Sequence, residues 1–155
     1  HKPKIIFLDE PTGGVDPITR RGFWEMIYQV AGQGTTVFVT THYMDEAEQC
    51  GRIALMRDGR IIALDSPGGL KKSTFPQPVL EFDPIAKLTF SEIAALEKDK
   101  LFLFFEPYGL RFHASVRDPV QWDAQKHRFE NSFRIRQIEP SLEDVFIRSV
   151  ESKSL

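Results

Sequence analysis

The residues best suited to chemistry are two adjacent carboxylates, Asp9 and Glu10. They follow four apolar residues, Ile5 to Leu8, and such a run predicts a strand covered on both faces in a parallel α/β sheet. Pro11 ends regular strand pairing, so the carboxylates lie at the carboxyl end of the strand, where open α/β sheets bind their ligands. Because neighbouring strand residues point to opposite faces, one carboxylate can face a metal ion while the other addresses a water molecule.

A histidine follows the next predicted strand. Residues Thr35 to Thr41 are rich in β-branched side chains, which favour a strand, and His42 ends it. Two strands joined by a helix run parallel, so His42 is expected at the same sheet edge as Asp9 and Glu10. Plainer interpretations stay open: the carboxylates are solvated groups at a strand exit, and the histidine is held by a backbone carbonyl.

The helix between these strands has a clear start. Asp16 is an N-cap residue and Pro17 takes the first helical position, where its missing N–H costs nothing. Helical spacing predicts a sheet-facing stripe formed by Phe23, Met26, Ile27 and Val30. After His42, the segment from Tyr43 to Gln49 predicts a short acidic helix whose charges form a solvated face.

A hairpin and a domain boundary follow. Two apolar stretches, Ile53 to Met56 and Ile61 to Leu64, flank an Asp58-Gly59 pair, which is a strong signal for a two-residue turn. A stretch rich in glycine and proline comes next. The sequence therefore predicts a first domain over residues 1–70, a linker over 71–78 and a second domain over 79–155.

The second half has its own order of elements, β-α-β-β-α-β with a terminal helix. This order predicts a small α+β domain of the ferredoxin-like type. The chain contains thirteen phenylalanines, clustered in this half, so we expect an aromatic core there. Alternation along its strand predicts His113 to be a half-exposed polar residue.

Composition excludes several classes of function. The formal net charge of −2 gives no electrostatic basis for binding nucleic acid. The single cysteine, Cys50, excludes an internal disulfide framework and indicates a reducing compartment. No apolar run approaches the roughly 20 residues that span a bilayer, so we expect no direct membrane insertion.

The run I-I-F-L-D-E-P-T-G-G-V-D, with a helix, a β-branched strand and a histidine after it, resembles the Walker B segment, D-loop and H-loop of ABC-transporter ATPases. The resemblance implies an ATP-hydrolysing α/β domain in which Asp9 binds Mg²⁺ and Glu10 polarises the attacking water. It also implies that His42 contacts the γ-phosphate of ATP. Gly14 and Asp16 would lie in the D-loop, close to the bound nucleotide and to a second ATPase subunit.

The sequence contains no G-x-x-x-x-G-K-[ST] phosphate loop and no L-S-G-G-Q stretch. The chain is therefore interpreted as the C-terminal part of a P-loop NTPase domain with an accessory domain after it. It would carry half of one active site, so the fragment alone is expected to be inactive.

The segment Pro140 to Phe146, P-S-L-E-D-V-F, resembles the C-terminal region of bacterial ABC exporters of the drug, antibiotic and lipid or polysaccharide type. The resemblance implies membrane-spanning permease partners, a homodimer or heterodimer of ATPase subunits, and a location on the cytoplasmic face of the membrane. A second hypothesis stays open, in which residues 79–155 form a non-catalytic regulatory or dimerisation module.

Overall fold

The computed structural model describes residues 3–151, which form a mixed α/β structure. The chain divides into two compact units, one ending at Cys50 and the other beginning at Gly51. The first unit contains β1 (Ile5–Asp9), α1 (Pro17–Gly32), β2 (Thr36–Thr40) and α2 (Met44–Ala47). The second contains β3 (Ile53–Arg57), β4 (Arg60–Asp65), α3 (Pro67–Thr74), β5 (Val79–Pro84), α4 (Phe90–Glu97), β6 (Phe102–Tyr108), β7 (Arg111–Val116), α5 (Pro119–Gln125), β8 (Phe133–Ile138) and α6 (Leu142–Glu151).

In the first unit, β1 and β2 pair in parallel, as the connecting helix predicts. Asp16 caps α1 and Pro17 is its first residue. The buried residues of α1 are Trp24 and Ile27, whereas Met26 is 49% exposed, so the predicted stripe is wrong at Met26. Trp24 and Ile27 are three positions apart and share one face of the helix. The buried face is therefore centred on Trp24 and Ile27, and the large Trp24 indole is part of the core.

The prediction that β1 is covered on both faces is also wrong. Phe7 is 74% exposed, and its ring lies 5.7 Å from that of Phe38, which is exposed on β2. Exposed and partly buried residues alternate along both strands. The reason is that β1 and β2 form a sheet of two strands within the described residues, with one of its faces left open.

The second unit opens with the hairpin of β3 and β4, which are antiparallel. Asp58 and Gly59 have φ angles of 51° and 73°, so the turn takes the left-handed conformation that an Asp-Gly pair predicts. The segment after the hairpin is helical up to Thr74, because Ser66 caps α3 and Leu70 is buried. The predicted linker therefore begins inside a helix. The predicted domain limits themselves stay a prediction, although the division into compact units falls earlier, at Cys50.

The four remaining strands form one sheet in the order β6-β7-β5-β8, with all neighbours antiparallel. The predicted aromatic core is present: Phe82 is fully buried, and five other aromatic rings lie around it. Residues of α6, among them Leu142 and Val145, are buried. Further along α6, the Arg148 guanidinium stacks on Phe104 of β6.

Candidate active site at the ends of two parallel strands

The carboxyl ends of β1 and β2 are joined by a small hydrogen-bond network. Asp9 and Thr40 face each other in the strand register, and the Thr40 hydroxyl donates to Asp9 Oδ1. The Glu10 amide donates to the Thr40 carbonyl oxygen at 3.0 Å. Asp9 and Glu10 are consequently fixed at the edge of the sheet at which ligands bind in α/β folds.

Glu10 has an unusual backbone conformation. Its φ angle is 41°, in the left-handed region that residues other than glycine rarely adopt. The Gly13 amide donates to the Glu10 carbonyl at 3.0 Å and closes a turn directly after the strand. Regular strand geometry therefore ends at Asp9, immediately before Glu10.

The structure brings Glu10 and His42 together. The distance from His42 Nδ1 to Glu10 Oε1 is 3.2 Å, and both side chains are more than half exposed. The His42 ring lies 4.1 Å from the ring of Tyr43. The two side chains thus form an acid–imidazole pair that is open to a ligand.

Asp16 and Gly14 have local structural roles. Asp16 accepts hydrogen bonds from the amides of Ile18 and Thr19 and from the Thr19 hydroxyl, and the hydroxyl bond is the largest cause of the lowered pKa of its carboxyl. Gly14 has a φ angle of 73°, and no atom would crowd a side chain at this position. The left-handed backbone conformation, not lack of space, is therefore the reason for a glycine here. Neither residue is part of the Glu10–His42 pair.

Glu46 is a site residue that the sequence did not reveal. The predicted solvated face is wrong here, because Glu46 is 0% exposed. Its carboxylate accepts hydrogen bonds from the hydroxyls of Thr12 and Thr41, and Arg20 Nε lies 3.4 Å from Oε1. Thr12 is 34 positions away in sequence, so local periodicity carries no signal for this contact.

Several known proteins with similar sequences are named as ATP-binding proteins. Nod factor export ATP-binding protein I of Rhizobium leguminosarum bv. viciae is 34% identical over 154 residues, which cover 94% of this chain and 46% of that protein. Daunorubicin resistance ATP-binding protein DrrA2 of Streptomyces coeruleorubidus is 33% identical over 166 residues, covering 94% of this chain and 48% of that protein. Probable multidrug ABC transporter ATP-binding protein YbhF of Escherichia coli K12 is 52% identical over 85 residues, covering 52% of this chain and 15% of that protein.

The chain is homologous to the ATP-binding proteins of ABC transporters. It spans less than half of the length of these relatives. No protein-family model matches it. Over residues 3–151, none of the helices has the length and apolar character needed to cross a bilayer.

Asp9 is the candidate metal ligand at this edge of the sheet. Nowhere in residues 3–151 do three or more His, Cys, Asp or Glu side chains form a group that could hold a metal ion. Mg²⁺ at nucleotide sites is usually held by one or two carboxylates together with water and substrate phosphates. The exposed carboxylate of Asp9 is therefore a suitable oxygen ligand for Mg²⁺ that arrives with a nucleotide.

A second buried polar cluster lies in the other unit of the chain. The prediction that His113 is half-exposed is wrong: it is buried, its Nδ1 lies 2.7 Å from Asp144 Oδ1, and its ring stacks on Tyr108 at 4.1 Å. Glu81 is also buried and binds Arg136 at 2.7 Å and Arg111 at 3.2 Å. The reason is α6, which brings Asp144 onto this face of the sheet and covers positions that strand alternation leaves open.

Proposed function

We propose that this chain is the part of an ABC exporter ATPase subunit that carries its water-activating glutamate and its γ-phosphate-binding histidine. The observation that carries the proposal is the 3.2 Å pair of Glu10 and His42 at the joined ends of β1 and β2. Homology to ABC ATP-binding proteins supports the assignment of this edge to ATP. The proposed activity belongs to the complete subunit.

Each residue of the pair has a distinct role. The Glu10 carboxylate is an acceptor that orients and polarises a water molecule for attack on the γ-phosphate. His42 donates to a γ-phosphate oxygen and stabilises the charge that develops there. The turn at Glu10 and the contact of the His42 ring with the Tyr43 ring hold the two side chains in place before ATP arrives.

Asp9 is proposed to hold Mg²⁺ together with the phosphates of ATP. When bound, the ion neutralises phosphate charge. The hydrogen bond from the Thr40 hydroxyl fixes the orientation of the Asp9 carboxylate. Asp9 and Glu10 thus have different roles in one site: Asp9 binds the metal ion, and Glu10 orients the water molecule.

The loop that contains Gly14 and Asp16 is proposed to face a second ATPase subunit. Asp16 stabilises the start of α1, and the exposed residues Gly13 and Gly14 before it can contact a partner. Membrane-spanning permease subunits are the proposed transport partners, with the protein bound at the cytoplasmic face of the membrane. The absence of strong positive charge gives no reason to propose a nucleic acid partner.

Residues 79–155 are proposed to form a ferredoxin-like domain. The support is the strand order β6-β7-β5-β8 with antiparallel neighbours, in which β7 lies between the two strands that α4 connects. A second candidate function follows from the aromatic core of this part, which is built without residues of the nucleotide site. In that case residues 79–155 act as a regulatory or dimerisation module that binds no nucleotide.

The Glu10→Gln variant tests the proposed function in a complete subunit that contains this chain. Glutamine keeps the shape of the side chain and loses its charge, so we expect ATP turnover to fall by about 100-fold or more while MgATP affinity is retained. Turnover is measured by phosphate release and affinity by calorimetry. The control is Glu25→Gln on the exposed side of α1, which should leave both values unchanged.

Normal turnover in the Glu10→Gln variant would contradict the proposed role of Glu10. Calorimetry with the 155-residue chain separates the two candidate functions. If this chain has negligible affinity for MgATP while the complete subunit binds it, ATP hydrolysis is an activity of the complete subunit. This chain by itself would then act as the non-catalytic module.

A further inference from the structure

Glu46 is the most deeply buried charged residue of the first unit. It is 0% exposed, whereas the side chain of its neighbour Asp45 on the same short helix is 73% exposed. A carboxylate removed from water is costly unless hydrogen bonds and opposite charge compensate it. The partners that compensate the buried Glu46 carboxylate therefore indicate its structural role.

Those partners come from three separate segments of the chain. Thr12 belongs to the loop after β1 and donates to Glu46 Oε1, while Thr41 follows β2 and donates to Oε2 at 2.8 Å. Arg20 of α1 supplies the opposite charge at 3.4 Å. Its Nε atom is buried and makes no hydrogen bond with the described residues, so the attraction between the opposite charges of Arg20 and Glu46 is what offsets its burial.

The two threonine contacts lead to the two residues of the site. Thr12 lies in the turn that Glu10 opens and the Gly13 amide closes. Thr41 directly precedes His42, and its hydroxyl accepts a hydrogen bond from the Tyr43 amide at 3.0 Å.

Tyr43 strengthens the same arrangement. Its ring lies against the His42 ring at 4.1 Å and also under the Arg20 guanidinium at 4.6 Å. The cation of the Glu46 ion pair therefore also packs on the ring that supports His42.

We propose that Glu46 is a positioning residue: one carboxylate oxygen holds the loop that bears Glu10 and the other holds the loop that bears His42. This role rests on the proposed function. Glu46 itself is buried behind the pair and reaches it only through Thr12, Thr41 and Tyr43. Its loss should misplace the reacting groups without removing a contact to the nucleotide.

The Glu46→Gln variant of the complete subunit tests this role. An amide cannot accept both threonine hydrogen bonds and cannot pair with Arg20, so we expect kcat to fall about tenfold or more, since small misplacements in a site have effects of this size. The KM and the Kd for MgATP should change less than about twofold. Glu25→Gln is the matched control, because it makes the same substitution at an exposed position of α1, and kcat should stay at the wild-type value.

A second pair of variants keeps the test independent of the buried charge. Thr12→Val keeps the shape of a buried side chain and removes the donor to Glu46, whereas Thr12→Ser keeps the donor. We expect a severalfold loss of kcat in the valine variant and recovery in the serine variant. All values are corrected for the folded fraction, measured by circular dichroism at the assay temperature.

Wild-type kcat in Glu46→Gln, a loss that disappears after correction for folding, or equal kcat in the Thr12→Val and Thr12→Ser variants would overturn the positioning role. Glu10→Gln is assayed in parallel. Full turnover in that variant would refute the proposed function and the positioning role with it. A loss in Glu10→Gln beside normal turnover in Glu46→Gln would refute the positioning role alone.

Discussion

At the scale of single residues, the left-handed backbone at Glu10 costs free energy that the surrounding structure has to offset. A non-glycine residue in the left-handed region costs about 1–3 kcal/mol, and the surrounding structure has to hold it there. At Glu10 this is done by the hydrogen bond from its backbone N–H to the Thr40 carbonyl oxygen and by the turn that the Gly13 amide closes. In this conformation the Glu10 carboxylate is an acceptor that lies 3.2 Å from His42 Nδ1.

The buried cluster of the second unit depends on pH. Glu81 binds Arg136 and Arg111, and the hydrogen bond from Arg136 is the largest cause of the lowered pKa of its carboxyl, against the effect of burial. For Asp144, burial raises the pKa, but hydrogen bonds from His113 and Ser141 outweigh it and the net shift is downward. Both carboxyls therefore prefer to be charged in the folded state.

We predict that the second unit loses stability in acid. A carboxyl whose pKa is lowered by folding contributes stability above its unfolded pKa, near 4, and loses this contribution as the pH falls through the lower folded value. Urea unfolding followed by Trp122 fluorescence, in a Trp24→Phe background that removes the other tryptophan, should give constant free energies of unfolding at pH 6–7 and a decline below about pH 4. In Asp144→Asn this decline should be shallower, and an equally steep decline would contradict the assignment.

At the scale of elements, the aromatic core shows how β5, one of the two inner strands of its sheet, packs against the elements around it. Phe82 is fully buried and lies within 5.2–6.0 Å, between ring centroids, of Phe102, Phe105, Trp122, Phe129 and Phe133. These rings come from β6, α5, β8 and the turn after α5. One side chain therefore connects strands and helices that are distant in sequence.

We predict that Phe82→Ala destabilises the second unit by about 3–5 kcal/mol, because it removes buried surface and leaves a cavity that rigid neighbours cannot fill. Urea unfolding monitored by circular dichroism measures the change. Phe90→Ala is the matched control: it removes the same group at a position that is 93% exposed, so its effect should stay within about 0.5 kcal/mol. Equal effects of the two variants would contradict the central role of Phe82.

Local patterns predicted the elements well where the cause is local. The Asp16-Pro17 helix start, the Asp58-Gly59 turn and the parallel pair of β1 and β2 all follow from residue chemistry over a few positions. The sequence predicts a solvated Glu46 and a half-exposed His113, and both are buried because their partners come from distant segments. Burial is a tertiary property, and strand alternation alone does not show which face another element covers.

At the scale of the whole molecule, the two units differ in how much apolar surface they bury. In the first unit, large side chains of β1 and β2 such as Phe7 and Phe38 are exposed, and Trp24 and Ile27 are its buried apolar residues. The second unit has the aromatic core. In addition, the Arg57 side chain of its hairpin donates a hydrogen bond to the Val150 carbonyl oxygen of α6 at 2.6 Å. Fewer buried apolar contacts allow local opening at a lower free energy.

We therefore predict that limited trypsin digestion of the 155-residue chain degrades the first unit before the second. Cleavage after Arg52 should leave a resistant fragment that begins at Ile53, because α3 packs against α6 and the Lys71 side chain is largely buried beside Glu139. Mass spectrometry identifies the fragment. A start at Lys72 or Ser73 would favour the boundary predicted from the sequence, and early loss of the second unit would contradict the difference in stability. The Phe82→Ala variant is the control, since it should make the resistant fragment disappear while leaving the cleavage of the first unit unchanged.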